Sequence, residues 1–354
     1  MKVAVAGGGT AGHIEPAMNV ADALAAHGVE VVALGTTRGL EQTLVPVRGY
    51  RLREIPPIPM PRKLSLDLFT LPYRLVAAVR QTSAVLVQEG VDVVVGFGGY
   101  VSLPAYLGAR RLHIPVVVHE ANARPGLANR VGATFAAAVF DTVSGSMRNA
   151  RTVGIPVREA IRHLDREALR DEALEYFGLD DSRPTLLVFG GSQGARRLND
   201  MVVAFAADLI AEGWQVLHAI GMKNEDQHIT DLPHYSCVPY IDRMDLAYAL
   251  ADAAVTRAGA MTVAELTTVG IPAIYVPLPT GNGEQTLNAN AVVGAGGGII
   301  VDDSICTPEM LIEAFAPWRS EAKRREAALA AKSVGSTDAA ATMVEAVLRI
   351  GGAR

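Results

Sequence analysis

Short apolar runs, each closed by glycine, proline or a polar cluster, set the pattern of this chain. Val3–Ala6, Val31–Leu34, Val91–Val95 and Pro115–His119 occupy the first half. Thr185–Phe189, Val216–Ala219, Val238–Tyr240, Ala253–Thr256, Ala273–Val276 and Ile299–Val301 occupy the second. Runs of this length without polar alternation predict strands buried on both faces of a parallel sheet. The stretches between them carry helical spacing, the first reaching about Ala26. The expected fold is therefore α/β: two doubly wound parallel-sheet domains facing across a cleft. Ser144-Gly-Ser146 and Gly154-Ile-Pro156 have loop composition and mark the junction. Residues 1–154 form the expected first domain and 155–335 the second. Met310–Leu329 and Thr337–Ile350 read as two terminal helices, the last (336–354) packing back on the first domain.

Glycine and polar clusters fall after strands and before helices, at the carboxyl edge where ligands of open parallel sheets bind. Gly7-Gly-Gly-Thr-Ala-Gly12 matches the dinucleotide pattern G-x-G-x-x-G. That chemistry also needs an acid at the end of the second strand to hold a ribose. Gly35-Thr36-Thr37 stands there, and Glu30 is at the wrong end. No nucleotide-binding G-x-x-x-x-G-K-[ST] occurs. His119-Glu120 lacks the second His of a zinc-protease helix, and no Asp-x-Asp pair is present. No metal and no cofactor is expected.

The most informative stretch runs from Val255 to Asn290. It reads as strand, glycine turn, helix, strand, glycine loop, helix. Free N–H groups at the helix start near Gly259 and Thr262 suit a phosphate. Glu265 can accept two hydrogen bonds from a diol such as ribose, and Gln285 can bond sugar hydroxyls. Together they suit a nucleotide-sugar. Arg158, Arg257 and the amides around Ser192-Gln193 are candidates to stabilise a departing diphosphate. His13, at a glycine turn, is a candidate general base, with Glu120 and Glu15 as alternatives.

Composition narrows the setting. The chain has 354 residues, 50% hydrophobic and 19% charged, enough for about two sizeable cores. A net charge of −5 gives no overall attraction to nucleic acid. Attraction to an anionic membrane must come from a local patch, and Leu64–Arg80 mixes leucines and aromatics with basic residues. Cys237 and Cys306 lack CxxC spacing, so a reducing cytoplasm is the simplest compartment. Met1-Lys-Val-Ala enters a strand directly, unlike a secretory signal, and no run of ~18 apolar residues predicts a membrane span.

Taken in order, these stretches resemble the MurG family over nearly the whole chain. The marks are Gly8-Gly9-Thr10-Ala11-Gly12-His13, Gly98-Gly99-Tyr100-Val101-Ser102, His119-Glu120-Ala121-Asn122, Pro156-Val157-Arg158 and Gly190-Gly191-Ser192-Gln193-Gly194-Ala195. Arg257-Ala258-Gly259-Ala260 with Thr262 and Glu265, then Gln285 with Asn288, complete them. The resemblance implies a GT-B fold and transfer of N-acetylglucosamine from UDP-N-acetylglucosamine to undecaprenyl-diphosphate-linked MurNAc-pentapeptide (lipid I). It implies an inverting, metal-independent enzyme at the cytoplasmic face of the bacterial plasma membrane. Ser192 and Gln193 would contact donor phosphates or sugar, and Ile241 the uracil through its backbone. Ala260, Met261, Thr262, Val263, Ala264 and Glu265 would wrap the diphosphate and ribose, and Gln285 would read the sugar. Thr10, Ala11, Gly12, Asn122 and Arg158 would complete the site. Ala11, Ala258 and Glu284 stand where the family pattern commonly has Gly, Ser and Gln. The rival readings are another GT-B enzyme, such as a UDP-sugar 2-epimerase or small-molecule glycosyltransferase, and a non-catalytic nucleotide-sugar binder.

Overall fold

The computed structural model describes residues 1–58, 67–191, 194–224, 232–279, 283–336 and 338–353, with backbone alone for 67–70. The chain forms two compact units, Met1–Val157 joined by the C-terminal helix Ala339–Gly352, and Arg158–Ser336. In the first unit the strands are β1 (Lys2–Gly7), β2 (Glu30–Gly35), β3 (Arg51–Glu54), β4 (Val93–Gly98), β5 (Val116–Glu120), β6 (Ala138–Asp141) and β7 (Arg151–Thr152). They form one parallel sheet in the order β3-β2-β1-β4-β5-β6-β7. In the second unit β8 (Thr185–Phe189), β9 (Gln215–Ala219), β10 (Tyr235–Val238), β11 (Ala251–Thr256), β12 (Ala273–Tyr275) and β13 (Gly298–Ile300) follow. Their order, β10-β9-β8-β11-β12-β13, is also all parallel. Strand order reverses beside β1/β4 and β8/β11, the switch points where doubly wound sheets bind ligands.

Alternate strand residues explain the unbroken apolar runs. Val3, Val5, Val93, Val95 and Val117 pack against the helices Ala11–Ala26 and Ala339–Gly352. Ala4, Ala6, Val94, Val116 and Val118 face the opposite layer with Leu86, Val101 and Tyr106. Both faces are covered, so no position can be polar without a partner. Met343, Val344 and Val347 fasten the last helix to the first unit, each burial contributing on the order of 1.5–3 kcal/mol. The second core centres on Phe205, Trp214, Phe315 and Trp318, with Trp214 and Phe315 centroids 5.0 Å apart and edge-on.

Several element bounds differ from the pattern reading. Gly96 and Gly98 belong to β4 itself; Gly96 lacks a side chain because the Tyr106 ring lies against it. β10 ends at Val238, since Pro239 has no N–H for the ladder. The helix expected over Met310–Leu329 is two, Pro308–Phe315 and Glu321–Ser333, split by a 3-10 turn at Ala316–Arg319. Pro317 lies inside that turn, where it removes a helical donor. β3, reading Arg-Leu-Arg-Glu, and the two-residue β7 carry too little apolar signal to be seen in sequence, and β6 (Ala138–Asp141) ends an alanine-rich apolar run that does not distinguish strand from helix.

A buried polar chain crosses the second unit. The Tyr235 hydroxyl lies 2.6 Å from His218 Nδ1, and His218 Nε2 lies 3.1 Å from Asn199 Oδ1. Asn199 donates its amide to the Ile220 carbonyl at 2.9 Å, so Oδ1 is its acceptor and His218 carries its proton on Nε2. Burial pushes the His218 pKa down to about 4. The unfolded chain therefore takes this proton first. The stabilisation is complete above the unfolded value of about 6.5 and lost as pH falls toward about 4, by at most about 3 kcal/mol. Urea unfolding at pH 7.5 and pH 4.5 should show this loss, and the difference should shrink in His218→Gln.

Candidate active site

The first unit gathers its candidates on the loops after β1, β4 and β5. The β1–β4 register shifts between Ala6 and Gly7 and pairs Gly7 with Gly98. The buried Ser102 hydroxyl accepts from Gly98 N–H at 3.0 Å and lies 2.8 Å from the Ala6 carbonyl, tying the two strand ends together. Gly98 and Gly99 have φ of +97° and +79°, and a side chain on Gly99 would collide with the Gly8 carbonyl.

Thr10 precedes the helix Ala11–Ala26 with extended backbone, and Ala11 and Gly12 form its first turn. The Thr10 hydroxyl does not cap the helix; it lies 3.2 Å from His13 Nδ1. A Cβ on Gly98 would stand 3.2 Å from His13 Nε2, so glycine keeps that nitrogen clear. Burial lowers the His13 pKa, opposed by the Glu120 charge and by hydrogen bonding to the Gly8 backbone. His13 is thus neutral near pH 7, the form a base needs.

Of the alternative bases, Glu120 is fully enclosed. Its carboxylate accepts from Asn122 N–H at 2.9 Å, Gly126 N–H at 3.0 Å and Asn129 Nδ2 at 2.9 Å. It organises the loop that carries Asn122, whose amide nitrogen also lies 3.3 Å from it. Glu15 pairs with Arg48 at 3.4 Å. Two residues that sequence reasoning missed belong to this edge. Asn129 links Glu120 to the Tyr106 hydroxyl. Glu41, wholly buried, accepts from Thr36 N–H at 2.9 Å, Thr36 Oγ1 at 2.8 Å and Gly9 N–H at 3.3 Å. An acid therefore does stand near the end of β2, but it is turned into the glycine loop and not out toward a ribose. The small residues Gly35 and Gly39 were its only signal: a Cβ on either would strike the Glu41 side chain.

In the second unit the helix Ala260–Val269 starts behind Gly259, and Gly270 closes it at φ +87°. The first intrahelical bond runs from Val263 N–H to the Gly259 carbonyl at 3.0 Å. The N–H groups of Ala260, Met261 and Thr262 thus head the helix, with no acid in its first turn. Ala264 is half-buried and Val263 buried, so their side chains serve packing. Glu265 is buried one turn further on. Its Oε1 lies 3.3 Å from Arg158 Nη2 and its Oε2 accepts from the Tyr248 hydroxyl at 2.8 Å. Arg158, expected to face a phosphate directly, thus lies against the carboxylate expected to hold the ribose.

One arm of Arg257 is engaged within the second unit: Nη1 donates to the Val276 carbonyl at 3.0 Å and pairs with buried Asp303 at 2.5 Å, while its buried Nε has no hydrogen-bond partner among the described residues. The Ile241 side chain is buried, which leaves its backbone to meet a ligand. Gln285 Oε1 accepts from Leu278 N–H at 2.9 Å, so its amide N–H2 is the group it can present. Asn288 donates to the Ala258 carbonyl at 3.3 Å. Ser192 and Gln193 lie outside the described residues.

Residues 3–141 match the glycosyltransferase family 28 N-terminal domain, and residues 185–343 match the C-terminal domain of that family. A Streptomyces coelicolor protein is 55% identical over 346 residues, covering 96% of this chain and 95% of its own length. It is named UDP-N-acetylglucosamine--N-acetylmuramyl-(pentapeptide) pyrophosphoryl-undecaprenol N-acetylglucosamine transferase. The crystal structure of Acinetobacter baumannii MurG superposes with a TM-score of 0.80 at 29% identity, covering 98% of this chain and 99% of that one. The chain belongs to the MurG family. MurG-family membership makes it a glycosyltransferase of GT-B fold. A Listeria monocytogenes structure titled as a putative UDP-N-acetylglucosamine 2-epimerase matches with a TM-score of 0.68 at 15% identity, covering 98% and 95% of the two chains; it shares the fold alone.

Tyr248→Phe removes one donor from the buried Glu265 carboxylate. The loss should cost about 1.5–3 kcal/mol in urea unfolding of the ligand-free protein.

Proposed function

We propose that this protein transfers N-acetylglucosamine from UDP-N-acetylglucosamine to the 4-hydroxyl of the muramyl sugar of lipid I, with inversion and without a metal. The full-length identity to the Streptomyces coelicolor transferase carries the reading. In it the second unit is the donor domain. The N–H groups of Ala260–Thr262 take the diphosphate, with Met261 contributing backbone. Glu265 accepts the ribose hydroxyls, and Arg158 turns from Glu265 toward the phosphates. Ile241 meets the uracil through its backbone, Gln285 donates to the sugar, and Ser192 and Gln193 complete the grip.

The first unit is the acceptor domain, with Thr10, Ala11, Gly12 and Asn122 lining its edge. The 4-hydroxyl oxygen attacks the anomeric carbon as the bond from that carbon to UDP breaks. His13 Nε2 takes the hydroxyl proton, its Nδ1–H held by the Thr10 hydroxyl oxygen. The helix N–H groups and Arg158 stabilise the charge that leaves on UDP.

The helix Asp67–Glu89 supports attachment to the cytoplasmic face of a membrane. It exposes Tyr73 and Val76 beside Arg74 and Arg80. Leu64–Ser65–Leu66 of the same basic, apolar stretch lie outside the described residues. Among the described residues no helix is long and apolar enough to cross a bilayer.

Radiolabelled sugar should pass from UDP-N-acetylglucosamine to a lipid I analogue at the same rate with and without chelator. No transfer, or equal transfer to soluble acceptors, would defeat the proposal. His13→Ala should lower turnover roughly 10²–10⁴-fold and leave UDP affinity within about twofold. Arg74→Glu with Arg80→Glu should weaken co-sedimentation with anionic vesicles by about 1 kcal/mol per charge removed or more, and high salt should weaken the wild type.

A further inference from the structure

We propose that Tyr248 is a positioning residue for Glu265: its hydroxyl sets the carboxylate in the orientation that a ribose diol needs. This rests on the reading of Glu265 as the ribose acceptor. The Tyr248 hydroxyl donates to Glu265 Oε2 at 2.8 Å, and both residues are buried. The other oxygen, Oε1, lies 3.3 Å from Arg158 Nη2. These two partners differ in freedom. The Arg158 side chain is 32% exposed and ends a long stem that can swing. Tyr248 is fully buried in the helix Met244–Leu250. Its ring meets the Phe189 ring edge-on at the end of β8, with centroids 6.4 Å apart. That helix feeds β11 (Ala251–Thr256), and the helix carrying Glu265 leaves it, so one strand sets the spacing of donor and acceptor.

A glutamate reaches its carboxylate through several rotatable bonds. A diol that donates two hydrogen bonds at once needs that carboxylate held in one plane. When Arg158 turns toward the diphosphate, Oε1 gives up this cation while Oε2 keeps the phenol. A donor that stays in place keeps the buried carboxylate charged and aimed, since losing donors there carries the full desolvation cost. Burial, with the Glu265 charge beside it, holds the Tyr248 pKa well above its ordinary value. The phenol is therefore a donor at neutral pH and adds no second negative charge.

Tyr248→Phe deletes the hydroxyl and keeps the ring. Calorimetric binding of UDP and of 2′,3′-dideoxy-UDP separates the ribose hydroxyls from the rest of the nucleotide. The wild type should prefer UDP by roughly tenfold or more, as expected for hydrogen bonds to a charged group. In Tyr248→Phe the preference should fall to about threefold or less, with dideoxy-UDP affinity within about twofold of wild type. KM for UDP-N-acetylglucosamine should rise by roughly the factor lost, and kcat toward a lipid I analogue should stay within about twofold. A residue that only supports the fold would weaken both nucleotides together; an unchanged ratio would overturn the proposal. Phe189→Leu keeps the phenol but removes the ring it rests against, and should lower the preference in the same direction. It decides the matter if Tyr248→Phe does not fold, an unchanged preference then overturning the proposal. Glu265→Gln isolates the underlying reading. A preference undiminished in that variant, or absent from the wild type, would remove Glu265 from the ribose and the proposal with it. A preference lost in Glu265→Gln but intact in Tyr248→Phe would overturn the positioning role alone.

Discussion

Buried carboxylates hold the carboxyl edges of both sheets in shape. An ionised carboxylate taken out of water must collect donors or give up its charge. At a strand end those donors come from the loops, so satisfying the carboxylate fixes the loop. Glu41 gathers Thr36 and Gly9, and Glu120 gathers Asn122, Gly126 and Asn129. Asp141 at the end of β6 takes Ser146, Met147 and Thr152. Glu265 in the second unit holds Tyr248 and Arg158. Each is an anchor first; Glu265 is the one whose cation partner is also a proposed ligand group.

Missing side chains make these contacts possible. Gly96 and Gly132 leave room for the buried Tyr106 ring, and the Tyr106 hydroxyl then reaches Asn129 at 2.7 Å. Through Asn129 the packing of one aromatic ring is linked to the Glu120 carboxylate and its loop. Gly98 and Gly99 do the same for His13, leaving its ring nitrogens uncrowded. The edge that carries His13 is shaped as much by absent Cβ atoms as by the polar groups it displays.

The electrostatics of the two edges differ. Around His13 burial disfavours the imidazolium while Glu120 and the Gly8 backbone favour it. The balance leaves a neutral ring that can take a proton and keep it briefly. Around Glu265 a helix start and Arg158 supply positive potential with no acid in the first turn. One edge is suited to receiving a proton and the other to receiving an anion, the two charge movements of a glycosyl transfer.

The sequence by itself determined the doubly wound α/β class, most strand positions and the glycine loops that the site uses. Those features are local: alternating burial leaves unbroken apolar runs, and positive φ calls for glycine. It also carried the order of motifs that marks the family. The tertiary structure alone decided how the polar groups pair. Gly9 and Glu41 are 32 residues apart, and Arg158 and Glu265 are 107 apart. Nothing in either neighbourhood announces the other. Asp303 lies against Arg257 Nη1, and the Glu120 carboxylate accepts from Asn122, Gly126 and Asn129, pairings that neither residue's sequence neighbours specify. A side chain's type is written in the chain, but whether its charge is already taken depends on what the fold sets beside it.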